Sequence, residues 1–276
     1  MCSEKRAEFV LTGFGDEISA NLPVQLDTLA EENMHYLELR SIWDKNVLDL
    51  DSAEVELSLR ELESRGFAIS AIASPIGKVP IDADFADHLP SFERALQMAT
   101  IFGARYLRIF SFYVPQGRAD RYRDEVMRRL SILAEGAEAA GVVLLHENER
   151  GIFGETPEHC LDIVRSVNSP ALRLAFDPAN FVQAGVRPFE HAYPLLADYI
   201  EYVHIKDALL SDGSTCLPGQ GDGEIRELLS ALKASGYRGF LSMEPHLMVA
   251  GRSFGFSGPA PFGEAVRALR DVLASL

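Results

Sequence analysis

The sequence predicts a single (β/α)₈ barrel over residues 1–276, with parallel strands, and three observations support this fold class. Short apolar or β-branched segments alternate with longer amphipathic segments along the whole chain, which is typical of βα units and a parallel sheet. Residues that tolerate a left-handed backbone separate the helical patterns from the strands that follow. No Pro-, Gly- or Ser-rich linker divides the units, and barrels of this type commonly use about 250 residues.

The eight predicted strands can be taken in chain order. They cover residues 8–14, 35–39, 67–73, 105–110, 142–147, 172–177, 202–206 and 240–244. Helical patterns between them include residues 51–65, 85–102, 120–140 and 223–235. The residues predicted to follow helices in a left-handed conformation are Asn33, Gly66, Gly103, Gly141 and Gly236. Asp51 with Glu54 fits a capping box, and Thr156 followed by Pro157 fits a helix start.

Composition and charge restrict the function classes. The chain is 47% hydrophobic and has a formal charge of −15, from 41 acidic and 26 basic residues. Such a surface repels phosphate backbones and anionic lipid, which argues against nucleic-acid and membrane partners. The three cysteines, Cys2, Cys160 and Cys216, are odd in number and form no CxxC pair, so neither a disulfide framework nor a structural zinc site is expected. The first residues lack the apolar centre of a signal peptide, and we expect a cytoplasmic protein.

Each of the last four predicted strands ends in an ionisable residue. The strings VVLLHEN, LRLAFDPAN, YVHIKD and FLSMEPH contain, in that order, Glu147, Asp177, His204 and Glu244. Strand C-termini converge at the mouth of a barrel, and three crowded carboxylates need a cation to neutralise them. An oxygen-rich donor set with one imidazole predicts one divalent metal, Mn²⁺, with Mg²⁺, Co²⁺ or Zn²⁺ as alternatives. Glu149 would replace Glu147 if the strand ran two residues further.

Several motifs between residues 142 and 246 resemble a known family. They are Glu147-Asn148, Asp177-Pro178-Ala179-Asn180, His204-Ile205-Lys206-Asp207, the PGQGDG segment at 218–223, and Gly236-Tyr237-Arg238-Gly239 leading to Met243-Glu244. On these residues the chain resembles the xylose isomerase-like TIM-barrel superfamily, in the sugar phosphate isomerase/epimerase group. That group includes tagatose-type ketose epimerases, hydroxypyruvate isomerases and inosose-processing enzymes. The resemblance implies a metal on the same four residues, and Asn180 departs from the histidine that ketose epimerases typically have, which argues against a ketose substrate.

The predicted activity is isomerisation or epimerisation of a small polyhydroxylated carbonyl compound such as a sugar, sugar acid or inosose. A metal with two open positions binds a vicinal hydroxyl and carbonyl and stabilises the enediolate formed by proton removal. The resemblance implies that the catalytic residues Glu147 and Glu244 lie on opposite faces of the substrate, one removing and one returning the proton.

Six further residues are predicted to contact the substrate. Lys206 and His246 each lie two positions beyond a predicted ligand and so share its side of the strand. Arg108 and Glu38 end strands four and two, Lys78 lies in a loop, and Asn180 follows strand six. Alternatives stay open: Arg108 in a structural ion pair, Glu38 paired with Arg40, and Lys206 or His246 at the rim.

Three other functions are compatible with the same features. A metal-dependent lyase of the inosose or dehydroshikimate kind would use the same proton abstraction and then expel water. A repair nuclease like endonuclease IV shares the barrel, but it needs extra histidines on early strands, and the charge argues against it. A non-catalytic sugar-binding role would leave a bound metal without turnover. The expected partners are a small carbohydrate-like substrate and a second copy of the chain in a homo-oligomer.

Overall fold

The computed structural model describes residues 7–247 and 257–276, so Cys2 lies outside the described residues. Eight parallel strands form one sheet, in the order β1-β8-β7-β6-β5-β4-β3-β2. The strands are β1 (Glu8–Gly13), β2 (Tyr36–Leu39), β3 (Ala68–Ala73), β4 (Tyr106–Ile109), β5 (Val143–Glu147), β6 (Leu172–Phe176), β7 (Ile200–Ile205) and β8 (Arg238–Met243). A parallel bridge from Phe14 to Glu38 joins β1 to β2 and brings the sheet round on itself. The predicted barrel fold is confirmed.

Helices connect the strands and cover the outside of the barrel. They are α1 (Leu22–Glu31), α2 (Ser52–Ser64), α3 (Leu89–Ile101), α4 (Ala119–Ala140), α5 (Pro157–Val167), α6 (Pro178–Gln183), α7 (Tyr193–Leu196), α8 (Ile225–Ser235) and α9 (Pro259–Ala274). The pair Ser41–Ile42 with Lys45–Asn46 and the pair Asp207–Ala208 with Thr215–Cys216 form small antiparallel ladders outside the barrel. No helix in the described ranges combines the length and apolar character needed to cross a membrane.

The predicted helix boundaries agree with the local structure in most places. The five residues expected after helices, Asn33, Gly66, Gly103, Gly141 and Gly236, all have positive φ. Asp51 and Glu54 form the complete capping box, and the Thr156 hydroxyl accepts the His159 N–H. The start of α3 differs, since it lies four residues beyond the predicted residue 85. Pro90 occupies the first turn there, a position that proline favours at a helix start.

A row of hydrogen-bonded polar side chains runs through the otherwise apolar interior of the barrel. Thr12 Oγ1 lies 2.8 Å from Ser70 Oγ, which lies 3.0 Å from the Tyr202 hydroxyl. The Tyr202 hydroxyl donates to Glu38 Oε2 at 2.8 Å. All four side chains are buried. Because buried polar groups need partners, this row of hydrogen bonds fixes the position of Glu38 below the mouth of the barrel.

Candidate metal centre

Four ionisable side chains meet at the C-terminal mouth. Glu147 is the last residue of β5, Asp177 is the N-cap of α6, His204 lies near the end of β7, and Glu244 directly follows β8. One potential ligand atom from each lies within 4.8 Å of the others. All four residues are at most 2% exposed. The convergence follows from parallel strands that end at one rim.

The potential ligand atoms of this cluster face one another at short distances. His204 Nδ1 lies 3.4 Å from Glu147 Oε1 and 3.9 Å from both Asp177 Oδ2 and Glu244 Oε2. Glu147 Oε2 and Asp177 Oδ2 are buried and contact only cationic groups, Arg108 at 3.1 Å and Lys206 at 2.7 Å, and His204 Nδ1 is buried with no hydrogen bond. Three buried carboxylates around one imidazole repel one another, and this oxygen-rich donor set fits a divalent cation.

Glu38 supports His204 from below. Its Oε1 lies 3.3 Å from His204 Nε2, and its Oε2 accepts the Tyr202 hydroxyl. Glu38 is fully buried and is not among the described residues that line the cavity. Glu38 thus contacts His204 and Tyr202, while Arg40 contacts other carboxylates, so the structure does not contain the alternative pair of Glu38 with Arg40. A substrate contact of Glu38 stays a prediction. A hydrogen bond from Nε2–H to Glu38 leaves Nδ1 with the lone pair that a metal requires.

Three predicted substrate contacts lie against the candidate ligands. Lys206 Nζ lies 2.7 Å from Asp177 Oδ2 and 3.2 Å from Glu244 Oε2. An Arg108 terminal nitrogen lies 3.1 Å from Glu147 Oε2. The Asn180 amide donates to Glu147 Oε1 at 3.0 Å. All three residues line the cavity above the cluster, and they hold its carboxylates in place.

Arg40 is a member of the site that the sequence analysis did not identify. It lies just beyond the end of β2, and its guanidinium donates to Glu244 Oε1 at 2.6 Å, Asp16 Oδ2 at 2.7 Å and Glu17 Oε1 at 3.2 Å. His246 Nδ1 lies 3.1 Å from Glu17 Oε1. The available signal was the position of Asp16 and Glu17 just after β1, at the same rim as the four candidate ligands.

Charges within the cluster shift the protonation of Asp177 and His204. Burial raises the pKa of Asp177 to about 6, although Lys206 opposes the shift. Burial lowers the pKa of His204, but Glu147 and Glu38 outweigh it and raise that pKa well above its usual value. Both groups therefore hold protons more tightly than usual, and a metal ion must displace these protons.

The two glutamates of the cluster shift in the opposite direction. Burial raises the pKa of Glu147, but His204 and then Arg108 outweigh it and hold that pKa below its usual range. Burial also raises the pKa of Glu244, and Lys206 above all holds it well below its usual value. Both side chains are carboxylates at neutral pH, the form that accepts protons or binds a cation.

A cavity of about 420 Å³ opens above the cluster. Its lining residues are Arg40, Lys78, Arg108, Tyr113, Glu147, Glu149, Arg150, Asn180, Gln183, Lys206, Glu244 and His246. Lys78 Nζ lies 2.7 Å from Glu149 Oε2. The alternative ligand Glu149 thus belongs to an ion pair in the lining and is not part of the four-residue cluster. The cavity is large enough for a small molecule, and its lining is mostly polar.

Comparison with known proteins gives one family match and one informative curated relative. The family model described as "Xylose isomerase-like TIM barrel" matches residues 26–272. A 2-epi-5-epi-valiolone 7-phosphate 2-epimerase of Actinoplanes sp. is 36% identical over 99 residues. That match spans 36% of this chain and 35% of the length of the relative.

Solved structures of low sequence identity share the fold over nearly the whole chain. A D-tagatose 3-epimerase-like protein superposes with a TM-score of 0.75 at 21% identity, covering 97% of both chains. The probable 3-DHS dehydratase AsbF of Bacillus anthracis gives a TM-score of 0.75 at 18% identity, covering 95% of this chain and 98% of its own. IOLI, crystallised with a binding zinc atom, gives 0.74 at 19% identity, covering 96% and 97%.

Proposed function

The chain belongs to the xylose isomerase-like TIM barrel family, and on that premise we propose that it is a divalent-metal-dependent isomerase or epimerase. Its substrate is a small polyhydroxylated carbonyl compound of the sugar, sugar acid or inosose type. The observation that carries this proposal is the buried cluster of three carboxylates and one imidazole at the base of the cavity, whose ligand atoms lie within 4.8 Å of one another. The relative that is 36% identical over 99 residues is an epimerase, which supports this reaction class.

The residues that would hold the cation are Glu147, Asp177, His204 and Glu244. Three carboxylates and one imidazole favour Mn²⁺, with Mg²⁺, Co²⁺ or Zn²⁺ as alternatives, and the zinc-bound IOLI structure is consistent with a divalent ion in this fold. When bound, the cation supplies Lewis-acid polarisation of the substrate carbonyl, which acidifies the adjacent carbon-bound hydrogen.

Glu147 and Glu244 are the proposed proton carriers. One carboxylate accepts the proton from the carbon next to the carbonyl. The other takes up a proton from solvent and delivers it, to the opposite face in an epimerisation or to the neighbouring carbon in an isomerisation, and loss of the abstracted proton to solvent restores the starting state. Asn180 orients Glu147 through its amide, and Arg40 orients Glu244 through its guanidinium. Proton transfer requires each carboxylate to lie within reach of the reacting carbon. These hydrogen bonds hold both carboxylates in that position.

Lys206 and His246 are the proposed contacts to substrate oxygens. Both line the cavity, and Lys206 has only 4% of its surface exposed. An ammonium and an imidazole at this position donate hydrogen bonds to hydroxyl or carbonyl oxygens. They hold the substrate in a fixed orientation relative to the two carboxylates, and this orientation raises the rate of proton transfer.

The test is hydrogen exchange at carbon in D₂O. The manganese-loaded protein is incubated with ketoses, inososes and hydroxy-keto acids, and deuterium incorporation is measured by mass spectrometry. We expect incorporation into at least one compound, and Glu147→Gln or Glu244→Gln should lower its rate by about 10²–10⁴-fold. Metal content is measured for each variant, because each change also alters a ligand. Glu201→Gln is the control, since Glu201 lies near the start of β7 and pairs with Tyr106 and Arg105. Exchange at the wild-type rate in either site variant would overturn the roles given to these residues.

Dehydration is the second candidate. Lys206 and His246 present N–H donors to the cavity, and such donors can protonate a leaving hydroxyl after the same proton abstraction. Product mass separates the two reactions, because isomerisation preserves mass and dehydration removes one water. A product lighter by one water would replace the isomerase proposal by a lyase.

A further inference from the structure

Cations and aromatic rings alternate along one wall of the cavity. The Arg40 guanidinium carbon lies 4.5 Å from the centroid of the Phe14 ring. Arg108 lies between Phe14 and Phe110, at 5.4 and 4.9 Å from their centroids. Lys78 Nζ lies 4.3 Å from the Phe110 centroid. Both rings are buried, so this cationic wall, defined as Arg40, Arg108 and Lys78, has a fixed position.

The loops next to this wall are tied to each other. Backbone hydrogen bonds run from Phe112 N to Gly77 O (3.0 Å), from Tyr113 N to Val79 O (3.0 Å) and from Val114 N to Gly151 O (3.1 Å). Lys78 lies between two of these bonded residues, Arg150 adjoins a third, and both line the cavity. Their backbones are therefore in place before any ligand binds, and ordering these loops on binding costs little free energy.

The balance of charge in the cavity is opposite to that of the whole chain. The lining includes five lysines and arginines and three glutamates, while the chain as a whole carries −15. Two of these glutamates, Glu147 and Glu244, are proposed metal ligands and would be neutralised by the cation. Arg108 Nε is buried without a hydrogen-bond partner, and no carboxylate within the described ranges pairs with Arg150. Within the described residues, the other four cations of the lining each contact a carboxylate. Arg150 and the Arg108 Nε–H are therefore the donors that remain for an anionic group of the substrate.

We propose that the substrate carries an anionic group, a phosphate ester or a carboxylate, and that Lys78, Arg108 and Arg150 bind it. This inference rests on the proposed function, since it specifies the substrate class of the same site. Guanidinium and ammonium groups form charge-assisted hydrogen bonds with both kinds of anion. The anion lies along the cationic wall, while the carbonyl and hydroxyl groups lie at the cluster of Glu147, Asp177, His204 and Glu244.

Binding of simple anions tests the site directly. The magnesium-loaded protein is titrated calorimetrically with inorganic phosphate and, separately, with malonate, so that the preferred probe distinguishes a phosphate from a carboxylate. We expect one probe to bind, and Lys78→Met and Arg150→Met each to weaken it by about tenfold through loss of one charge-assisted hydrogen bond. Lys233→Met is the matched control, because Lys233 lies on α8 and donates to the Leu276 carbonyl. Absence of binding by both probes, or equal weakening by all three variants, would overturn the proposal.

Exchange in D₂O provides the second arm. A ketose, its terminal phosphate ester and the corresponding keto acid are compared by kcat/KM for deuterium incorporation. We expect one anionic compound to exceed the neutral one by about tenfold or more, and Lys78→Met and Arg150→Met to reduce that ratio while Lys233→Met leaves it unchanged. A neutral compound that reacts as well as both anions would overturn this inference and leave the proposed function standing. Absence of exchange from every compound would count against the proposed function, and the calorimetric titration would still decide whether the anion site exists.

Discussion

The contact between Glu38 and His204 yields the sharpest prediction for metal binding. Glu38 Oε1 lies 3.3 Å from His204 Nε2 and keeps the proton on that nitrogen, so that Nδ1 is available to a cation. Glu38→Gln preserves the shape of the side chain but lets an amide donate to Nε2, which moves the imidazole proton to Nδ1. Changes of this kind behind a metal-binding histidine lower affinity by about 10- to 100-fold, equivalent to about 1.4–2.8 kcal/mol.

The measurement is the dissociation constant for Mn²⁺, obtained by calorimetric titration of chelator-stripped protein at one pH. Glu201→Gln is the matched control: this glutamate also accepts a tyrosine hydroxyl, from Tyr106 at 2.9 Å, but it has no contact with the cluster. We expect wild-type affinity in the control and the weakened affinity in Glu38→Gln, with thermal unfolding showing that both variants fold. An affinity in Glu38→Gln within twofold of the wild type would refute the tautomer argument.

Two further predictions concern pH and the loop that carries Lys78. Metal affinity should fall as pH drops, by up to about tenfold per pH unit for each proton displaced. His204 begins to compete above neutral pH because its pKa is raised well above its usual value, and Asp177 adds a second proton as pH falls through about 6. Calorimetry in two buffers of different ionisation enthalpy counts the released protons, and zero release would contradict this reasoning. Gly77→Ala should destabilise the fold by about 2–5 kcal/mol, because the residue has positive φ and its new Cβ would lie 2.1 Å from a backbone carbonyl oxygen. Gly103→Ala, also at positive φ but with open space around it, should cost only about 1–2 kcal/mol in denaturant unfolding, and equal costs would exclude the steric explanation.

The second half of the barrel was largely predictable from its sequence. Glu147, Asp177, His204 and Glu244 each follow an apolar strand, and parallel strands in a barrel can only end at the same rim. Strand position therefore specified which side chains meet, even though periodicity left the ends uncertain by one or two residues. β7, for example, begins at Ile200, two residues before the predicted start.

The first half was less predictable because its polar residues lie at different depths. Glu38 and Arg40 share one face of the β2 segment, and in the sequence they look like partners of opposite charge. In the barrel, successive inward side chains occupy different layers, so Glu38 meets His204 and Arg40 meets Glu244 one layer higher. Glu17, in the turn after β1, contacts Arg40 for the same reason. These pairings depend on strand depth, which sequence alternation alone does not specify.

Anomalous diffraction from crystals grown with Mn²⁺ tests the central claim most directly. The account predicts one strong manganese peak per chain, in contact with Glu147, Asp177, His204 and Glu244, and its loss in Asp177→Ala. A folded wild-type protein with no manganese peak between these four side chains, or an unchanged peak in Asp177→Ala, would contradict it.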